Sequence, residues 1–188
     1  MKAIMISIKP KWCAKIMNGE KTIELRKTMP KCDLPIDVYI YCTKEKWKTK
    51  PLLSGDIVIK PNADPLNKHN VRLLNGKVVA KFTLNKVNKH HILPTERILP
   101  FNWNVEQKLK QLCLTKEEVM AYGNGEDYQA FLWHISNLEI FDKPKELSEF
   151  KHTTHYRRYG SFRVEIEEQI VPLTKAPQNY CYIEGEIK

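Results

Sequence analysis

The apolar positions of this chain recur mostly with the two-residue period of strands. Near the N-terminus, the apolar run at 3–8 predicts a short strand, and Pro10 opens a helical segment that Gly19 ends. In the segment that follows, Ile23 and Leu25 alternate with polar residues, which is typical of a half-buried strand. The chain therefore begins with a strand, a short helix and a second strand.

Most of the remaining pattern also predicts strands. They are expected at 36–42 and 57–59, and at 71–74 and 77–84 on the two sides of an Asn75-Gly76 hairpin turn. Further strands are expected at 130–141, as one long strand or a bent pair, and at 162–171 and 176–187. Helices are expected at 103–113, in a segment that begins with the Thr115 and Glu118 capping box, and as one or two turns at 144–150, whereas 152–160 is predicted to be a polar and basic loop. Many strands and few short helices predict an α+β fold, namely a small closed or partly closed β-barrel with flanking short helices.

Length and composition predict a folded protein, and the net charge favours anionic partners. The 188 residues suit a single domain spanning 1–188, and 42% of them are hydrophobic, which is enough for a core. Lys and Arg number 31 against 22 Asp and Glu, for a net charge of +9. Such an excess of positive charge favours nucleic acid, nucleotides or an acidic surface as partners. The alternative is that the charge only keeps the protein soluble.

The cysteines and the N-terminal residues indicate whether a metal is expected and in which cellular compartment the protein is expected. The five cysteines form no Cys-x-x-Cys pair, and His152 and His155 have no further ligand at a fitting spacing, so no metal and no cofactor are expected. The N-terminus has no apolar run that resembles a signal peptide or a membrane span. A cytoplasmic protein that does not act at a membrane is therefore expected.

The strand after Gly19 carries the strongest candidate site. Glu24 and Arg26 project from the same side of this strand, and Lys21 lies at the turn before it. A carboxylate beside a guanidinium can accept from the amine of a base while the guanidinium binds a phosphate. The alternative is an ordinary ion pair on the surface of a sheet, which contributes little.

A resemblance to a known family rests on this segment and three others. The run SIKPKWCAKIMNGEKTIELRK at 7–27 resembles the opening of the ASCH family, whose motif G-x-K-x-x-E-x-R is matched at Gly19, Lys21, Glu24 and Arg26. The stretches 38–44, 133–150 and 172–186 resemble forms of this domain from bacterial and phage genomes. Residues 60–110 and 151–171 match poorly and are interpreted as insertions.

The resemblance implies a PUA-like β-barrel with a cleft beside the first helix, and binding of RNA or another nucleic acid. Some small members are amidohydrolases that deacetylate N4-acetylcytidine with a lysine nucleophile, which Lys21 matches. Those enzymes have a threonine where this chain has Glu24. The hydrolase alternative makes Lys21 and Glu24 the catalytic candidates. Because Glu24 favours a charged Lys21, binding of RNA or a nucleoside-like ligand is the preferred function.

Further residues are weaker candidates. His134 and Ser136 on one predicted strand, with Gln178 and Tyr180 before the last strand, are expected to contact the ligand, with core packing and turn capping as alternatives. Four basic residues and one tryptophan are expected to contact a nucleic-acid backbone: Lys44, Lys46, Arg157 and Arg158, with Trp47. A third possible class is a protein-interaction or transcription-coregulator module without a working ligand site.

Overall fold

The computed structural model describes residues 2–44, 76–93, 104–159 and 164–185. Within these ranges the strands are β1 Lys2–Ile8, β2 Ile23–Arg26, β3 Ile36–Cys42, β4 Val78–Ile92, β5 Tyr128–Lys145, β6 Lys151–Tyr159, β7 Val164–Pro172 and β8 Tyr180–Glu184. The helices are α1 Pro10–Met17, α2 Val105–Leu112 and α3 Lys116–Ala121, with a 3₁₀ turn at Leu147–Glu149. The predicted strand at 57–59 lies outside the described residues.

The N-terminal strand–helix–strand unit follows local sequence signals. Pro10 occupies the first turn of α1, where its missing N–H has no partner to lose. Gly19 follows the helix with a φ of +74°, a conformation that glycine adopts without steric penalty. After β2, the chain returns so that β3 pairs parallel with β1. The predictions for β1, α1 and β2 are therefore confirmed.

Six strands form one curled sheet in the order β2-β5-β4-β3-β1-β8. Among the described strands, only β1 and β3 pair in parallel, and the long β4 and β5 pair antiparallel through several register shifts that bend the sheet. In the described residues, no strand pairing joins β2 to β8, but side chains bridge the gap. Asn179, just before β8, contacts both Arg26 and Thr28 at 3.1 and 2.6 Å. The molecule thus has the predicted α+β architecture, with the sheet in the form of a partly closed barrel.

The two faces of the sheet pack against different partners. The inner face carries the main core, in which Ile4, Val38 and Trp133 pack with Ile16 of α1. On the outer face, Ile23 and other residues of β2 and β5 pack against α2 and α3. The capping box at Thr115 and Glu118 that was predicted for α3 is present, with both reciprocal hydrogen bonds.

The segment that was predicted to be a polar loop at 152–160 is instead a strand. Residues 151–159 form β6, which pairs antiparallel with β7 as a separate two-stranded hairpin. The loop prediction was wrong because both faces of β6 carry polar side chains, so no hydrophobic alternation reveals the strand. Its threonine, histidine and tyrosine residues nevertheless suit a strand once a partner is available.

The division into one domain with insertions at 60–110 and 151–171 stays a prediction. β4 lies within the first range and pairs with both β3 and β5, and the β6–β7 hairpin fills most of the second. Among the described residues, no helix is long and apolar enough to cross a membrane.

Candidate functional site

The alternation of β2 separates its apolar side chains from its charged ones. Ile23 and Leu25 pack in the outer cluster beneath α2 and α3. Glu24 lies opposite Trp133 of β5, whose side chain belongs to the inner core. Glu24 and Arg26 therefore point into the barrel, and all four residues of β2 are buried.

Lys21, Glu24 and Arg26 form one buried ionic cluster. The Lys21 Nζ lies 3.3 Å from Glu24 Oε2, and the Arg26 Nε lies 3.2 Å from Glu24 Oε1. The three residues are 3%, 9% and 7% exposed, and no other charged residue in the described ranges is buried to this degree. We refer to these three residues as the buried cluster.

Each cation of the buried cluster is also held by the backbone. The Lys21 Nζ donates to the carbonyl oxygen of Leu112 at the end of α2, at 2.8 Å. The Arg26 Nη2 donates to the carbonyl oxygen of Ser7 at 2.8 Å, and its Nη1 donates to Asn179 Oδ1 at 3.1 Å. The cluster thus connects β2 with α2, β1 and the segment before β8. The buried Arg26 Nε lacks a hydrogen bond of good geometry, despite its short distance to Glu24.

Aromatic side chains surround the buried cluster. The Lys21 Nζ lies 5.3 Å from the ring centre of Trp12 on α1. On the inner face, the Trp133 and Tyr180 ring centres are 5.6 Å apart. Trp133 Nε1 donates to Thr28 O, and the Tyr180 hydroxyl donates to Met29 O, which fixes the loop after β2. An aromatic ring therefore lies close to Lys21, and two others fix the loop that follows Arg26.

Two further groups near the buried cluster are not apparent from the sequence. Burial raises the pKa of the Cys13 thiol well above its usual value, and a hydrogen bond with Cys42 adds to this effect. Desolvation also raises the pKa of Tyr122, although 37% of this residue is exposed, and the charges of Arg26 and Glu24 shift this pKa in opposite directions. Both groups are therefore neutral at neutral pH, and only their three-dimensional proximity to β2 identifies them.

The structure places two predicted ligand residues on the opposite face of the sheet. Ile135 packs in the inner core, so its neighbours His134 and Ser136 point outward. The His134 Nε2 lies 2.6 Å from Asn88 Oδ1, and the Ser136 hydroxyl donates to Asn85 Oδ1 at 3.2 Å. Neither residue is brought together with the buried cluster.

Near β8, the amide that reaches the buried cluster is that of Asn179. Its predicted neighbour Gln178 is exposed, whereas the other predicted residue, Tyr180, is half-buried beside Trp133. The sequence marks Gln178 and Tyr180 on either side of Asn179 as the candidates. Only the approach of the two outer strands shows which amide contacts Arg26.

The predicted nucleic-acid backbone residues are dispersed. Lys44 and Arg157 are exposed, the latter on β6 opposite Ile166. Lys46, Trp47 and the side chain of Arg158 lie outside the described residues. Within the described ranges, no group of three or more His, Cys, Asp or Glu residues is arranged to hold a metal ion.

Comparison with known proteins identifies the fold. No protein-family model matches the chain, and no curated protein matches it. A crystal structure of a serine-to-alanine mutant of the ASCH protein from Zymomonas mobilis matches with a TM-score of 0.53 and 14% identity, over 97% of this chain and 88% of that one. The ASCH structure from the same organism matches with a TM-score of 0.47 and 14% identity, over 97% and 87%. A tyrosine-to-phenylalanine mutant gives 0.47 and 16%, over 78% and 77%.

The class of fold is therefore that of a PUA-like, partly closed barrel. Within that class, the chain has the fold of an ASCH domain. At this level of sequence identity the match concerns the fold, so the function has to be argued from the residues of this chain.

Proposed function

We propose that this protein binds RNA or a nucleotide-like ligand at the buried cluster of Lys21, Glu24 and Arg26. The observation that carries the proposal is the burial of three charged side chains in one contiguous group on the wall of an otherwise apolar barrel. The net charge of +9 gives the same molecule a general attraction for anions.

Burial of these charges is difficult to explain by stability alone. Moving an ion from water into a protein interior costs several kcal/mol, and the attraction between partners offsets this cost only with very good geometry. Well-packed apolar residues of similar volume would serve the fold at least as well. Arg26 retains a buried Nε without a good hydrogen bond, which is unfavourable unless another partner uses the group. A binding role accounts for this retention.

The buried cluster offers the chemistry that a nucleotide requires. The guanidinium of Arg26 provides planar donors for a phosphate or a base carbonyl, and the carboxylate of Glu24 accepts from an exocyclic amine. Trp12, which is partly exposed, supplies aromatic surface near Lys21 on which a base can stack. Backbone contacts hold both cations in place before a ligand arrives, so binding loses little side-chain freedom.

The surroundings of Lys21 support a binding role over a nucleophilic one. A lysine attacks a carbonyl carbon only as the neutral amine. Here Nζ lies against the Glu24 carboxylate and a backbone carbonyl oxygen, and both contacts suit an ammonium group. Lys21 is therefore proposed as a charged contact of the ligand.

Binding of a short single-stranded RNA, followed by fluorescence anisotropy over a range of salt concentrations, tests the proposal. Affinity should fall steadily with salt, because phosphate contacts release counterions. Arg26→Lys keeps the charge but loses the planar donors, and should weaken binding roughly tenfold, since a hydrogen bond to a charged group contributes about 1.5–3 kcal/mol. Circular dichroism would verify that the variant is folded.

Lys15→Ala is the matched control. Lys15 also pairs with a glutamate, Glu20, at 3.0 Å, but both side chains are well exposed. This variant should change RNA affinity by less than about twofold. Equal effects of Arg26→Lys and Lys15→Ala, or no RNA binding at low salt, would contradict the proposal.

Incubation with N4-acetylcytidine separates the binding role from the hydrolase that the family resemblance also suggests. A binding protein should release no cytidine, while a Lys21-dependent release would favour the hydrolase. A protein-interaction module predicts a third result, in which Arg26→Lys leaves the capture of a protein partner unchanged and RNA is not bound at all.

A further inference from the structure

Two tyrosines and a lysine form a compact aromatic and basic surface on the outer side of β2. Lys27 directly follows Arg26, and its Nζ lies 5.5 Å from the ring centre of Tyr122 and 5.9 Å from that of Tyr128. The two ring centres are 6.0 Å apart with an interplanar angle of 55°, within the range of a favourable aromatic pair. We refer to Lys27, Tyr122 and Tyr128 as the tyrosine patch.

The rings of the tyrosine patch are held by the elements that carry them. The Tyr128 hydroxyl donates to the carbonyl oxygen of Val119 at 2.6 Å, and its ring packs with the apolar residues beneath α2 and α3. Tyr122 ends α3, where its backbone N–H donates to the carbonyl oxygens of Glu118 and Val119. Gly123 lets the chain pass against Tyr128, because a Cβ there would lie 2.3 Å from the Cδ1 of that ring. The backbone of Tyr122 and the ring of Tyr128 are therefore fixed before any ligand binds.

The tyrosine patch is open to water, in contrast to the buried cluster. Tyr122 is 37% exposed, and Lys27 is exposed beside it. An exposed aromatic ring is a surface on which any nucleic-acid base can stack, and an adjacent ammonium group can bind a phosphate. The tyrosine patch therefore offers the two contacts that one nucleotide unit of a single strand requires.

Lys27 places the tyrosine patch next to the buried cluster, on the other side of the same strand. The Cα atoms of neighbouring residues are about 3.8 Å apart, so Lys27 begins close to Arg26. Arg26 points into the barrel, whereas Lys27 continues the outward alternation of Ile23 and Leu25. In the described residues, β2 is the last strand of the sheet, and its second edge pairs with no strand. A single-stranded ligand at the buried cluster can therefore continue over this edge to the tyrosine patch.

The charges around the tyrosine patch determine where a phosphate is favoured. Glu126 and Asp127 are exposed in the segment before Tyr128, and they repel a phosphate placed over that segment. Lys27 supplies positive charge from the end of β2. The phosphate is therefore expected beside Lys27, and the base on the exposed ring of Tyr122.

We propose that the tyrosine patch binds a second nucleotide unit, so that the ligand of this protein is a single-stranded RNA and not a free nucleoside. This assignment depends on the function proposed above, because the first unit occupies the buried cluster. The next base stacks on Tyr122, and the phosphate that joins the two units contacts Lys27. A free nucleoside has neither the second base nor the joining phosphate, and so gains nothing from the tyrosine patch.

Calorimetric titration with AMP and with an RNA of four adenylates tests the second unit. Adenine carries an exocyclic amine that Glu24 can accept from, and the longer RNA should bind at least tenfold more tightly than AMP. Tyr122→Leu should weaken binding of the four-residue RNA roughly 5- to 150-fold, the range expected for loss of one base–aromatic stack. Tyr122→Phe is the matched control, because it keeps the ring and should bind this RNA within about twofold of the unmodified protein.

The outcomes separate this assignment from the proposed function. If Arg26→Lys weakens RNA binding but the Leu and Phe variants of Tyr122 bind equally, the buried cluster binds RNA and the second unit is refuted. AMP that binds as tightly as the four-residue RNA also refutes it. If no RNA binds at low salt, both the proposed function and the second unit are wrong.

The salt dependence of RNA binding tests the phosphate contact of Lys27. Lys27→Ala should lower the slope of log affinity against log salt concentration by about 0.7, as expected for loss of one phosphate contact in a single strand. Lys116→Ala is the control, since Lys116 is also exposed but lies at the opposite end of α3 from Tyr122. It should leave the slope unchanged, and equal slopes for the two variants would contradict the contact. Circular dichroism would verify that each variant is folded.

Discussion

The buried cluster on β2 and the β6–β7 hairpin use the same kinds of residue with opposite exposure. In the buried cluster, the side chains of Lys21, Glu24 and Arg26 are 2%, 11% and 9% exposed. On the hairpin, the His155 Nδ1 lies 3.6 Å from Glu168 Oε1, and these side chains are 60% and 69% exposed. Both regions carry charged side chains on strands, yet only one of them places its charges where water is excluded.

This difference determines what each ion pair contributes. Exposed pairs contribute about 0–1 kcal/mol, because water and salt screen the attraction and ordering the side chains costs entropy. In a buried cluster, the loss of one partner leaves an uncompensated charge, which is far more costly. The comparison therefore predicts a graded series of effects along the same chain.

Glu24→Ala is expected to have the largest effect. It would leave the cations of Lys21 and Arg26 buried without their shared carboxylate, and should lower the free energy of unfolding by about 3–5 kcal/mol. Urea denaturation followed by circular dichroism measures this change. A loss below about 1 kcal/mol would show that the buried cluster is no more costly to break than a surface pair.

Arg26→Lys should have the next largest effect. A lysine keeps the charge but cannot reach Ser7 O, Asn179 Oδ1 and Glu24 with one planar group. The expected loss is about 2 kcal/mol, in line with the loss of one or two charged hydrogen bonds. Asn179→Ala removes one of these contacts and should cost less than Arg26→Lys in the same denaturation measurement. The reverse order would mean that the guanidinium is not the centre of the network.

The buried cluster was predictable from the sequence only in part. The turn at Gly19 and the alternation of β2 are local features, so the pairing of Glu24 with Arg26 follows from their spacing, and the resemblance to the family motif adds Lys21. The contacts of these residues with Leu112, Ser7 and Asn179 span 91, 19 and 153 positions of the chain. No local pattern encodes contacts over such separations.

The fold, too, was predictable where local sequence determines an element and not where contacts between distant residues do. β3 matches its predicted bounds of 36–42, and the capping box of α3 was identified from two residues. By contrast, the sequence of β6 predicts a loop, because it has no apolar face and its pairing with β7 is a tertiary contact. The outward direction of His134 likewise depends on which neighbour packs in the core, and here that neighbour is Ile135.

The half-buried histidines of the outer face lie between these two extremes of exposure, and their contribution to stability depends on pH. Burial, and then the charge of Lys108, lower the pKa of His90 and His134 below the ordinary 6.5. Between the lowered values and 6.5, the unfolded chain therefore binds more protons than the folded one. The stability that these rings contribute is present above pH 6.5 and is lost as the pH falls through their folded-state pKa values.

Denaturation curves at a series of pH values measure this dependence. His134→Gln removes one titrating ring, so the stability of the variant should decline less steeply on acidification than that of the unmodified protein. Ser136→Ala, a change on the same face that removes no titrating group, should leave the slope unaltered. Identical slopes for all three proteins would mean that His134 does not titrate differently in the folded state.

Glu168→Ala is expected to have the smallest effect and completes the comparison. The contact with His155 is an ion pair only when His155 is protonated, and water and salt screen it at this exposed position, so its loss should change the free energy of unfolding by no more than about 0.5 kcal/mol. The RNA affinity of Glu168→Ala also tests whether the hairpin contacts RNA. If RNA passes along the basic residues of β6, removal of the adjacent negative charge should strengthen binding, and the gain should disappear at high salt. If RNA is held only at the buried cluster, Glu168→Ala should bind it as the unmodified protein does, and the hairpin is then excluded from the interface.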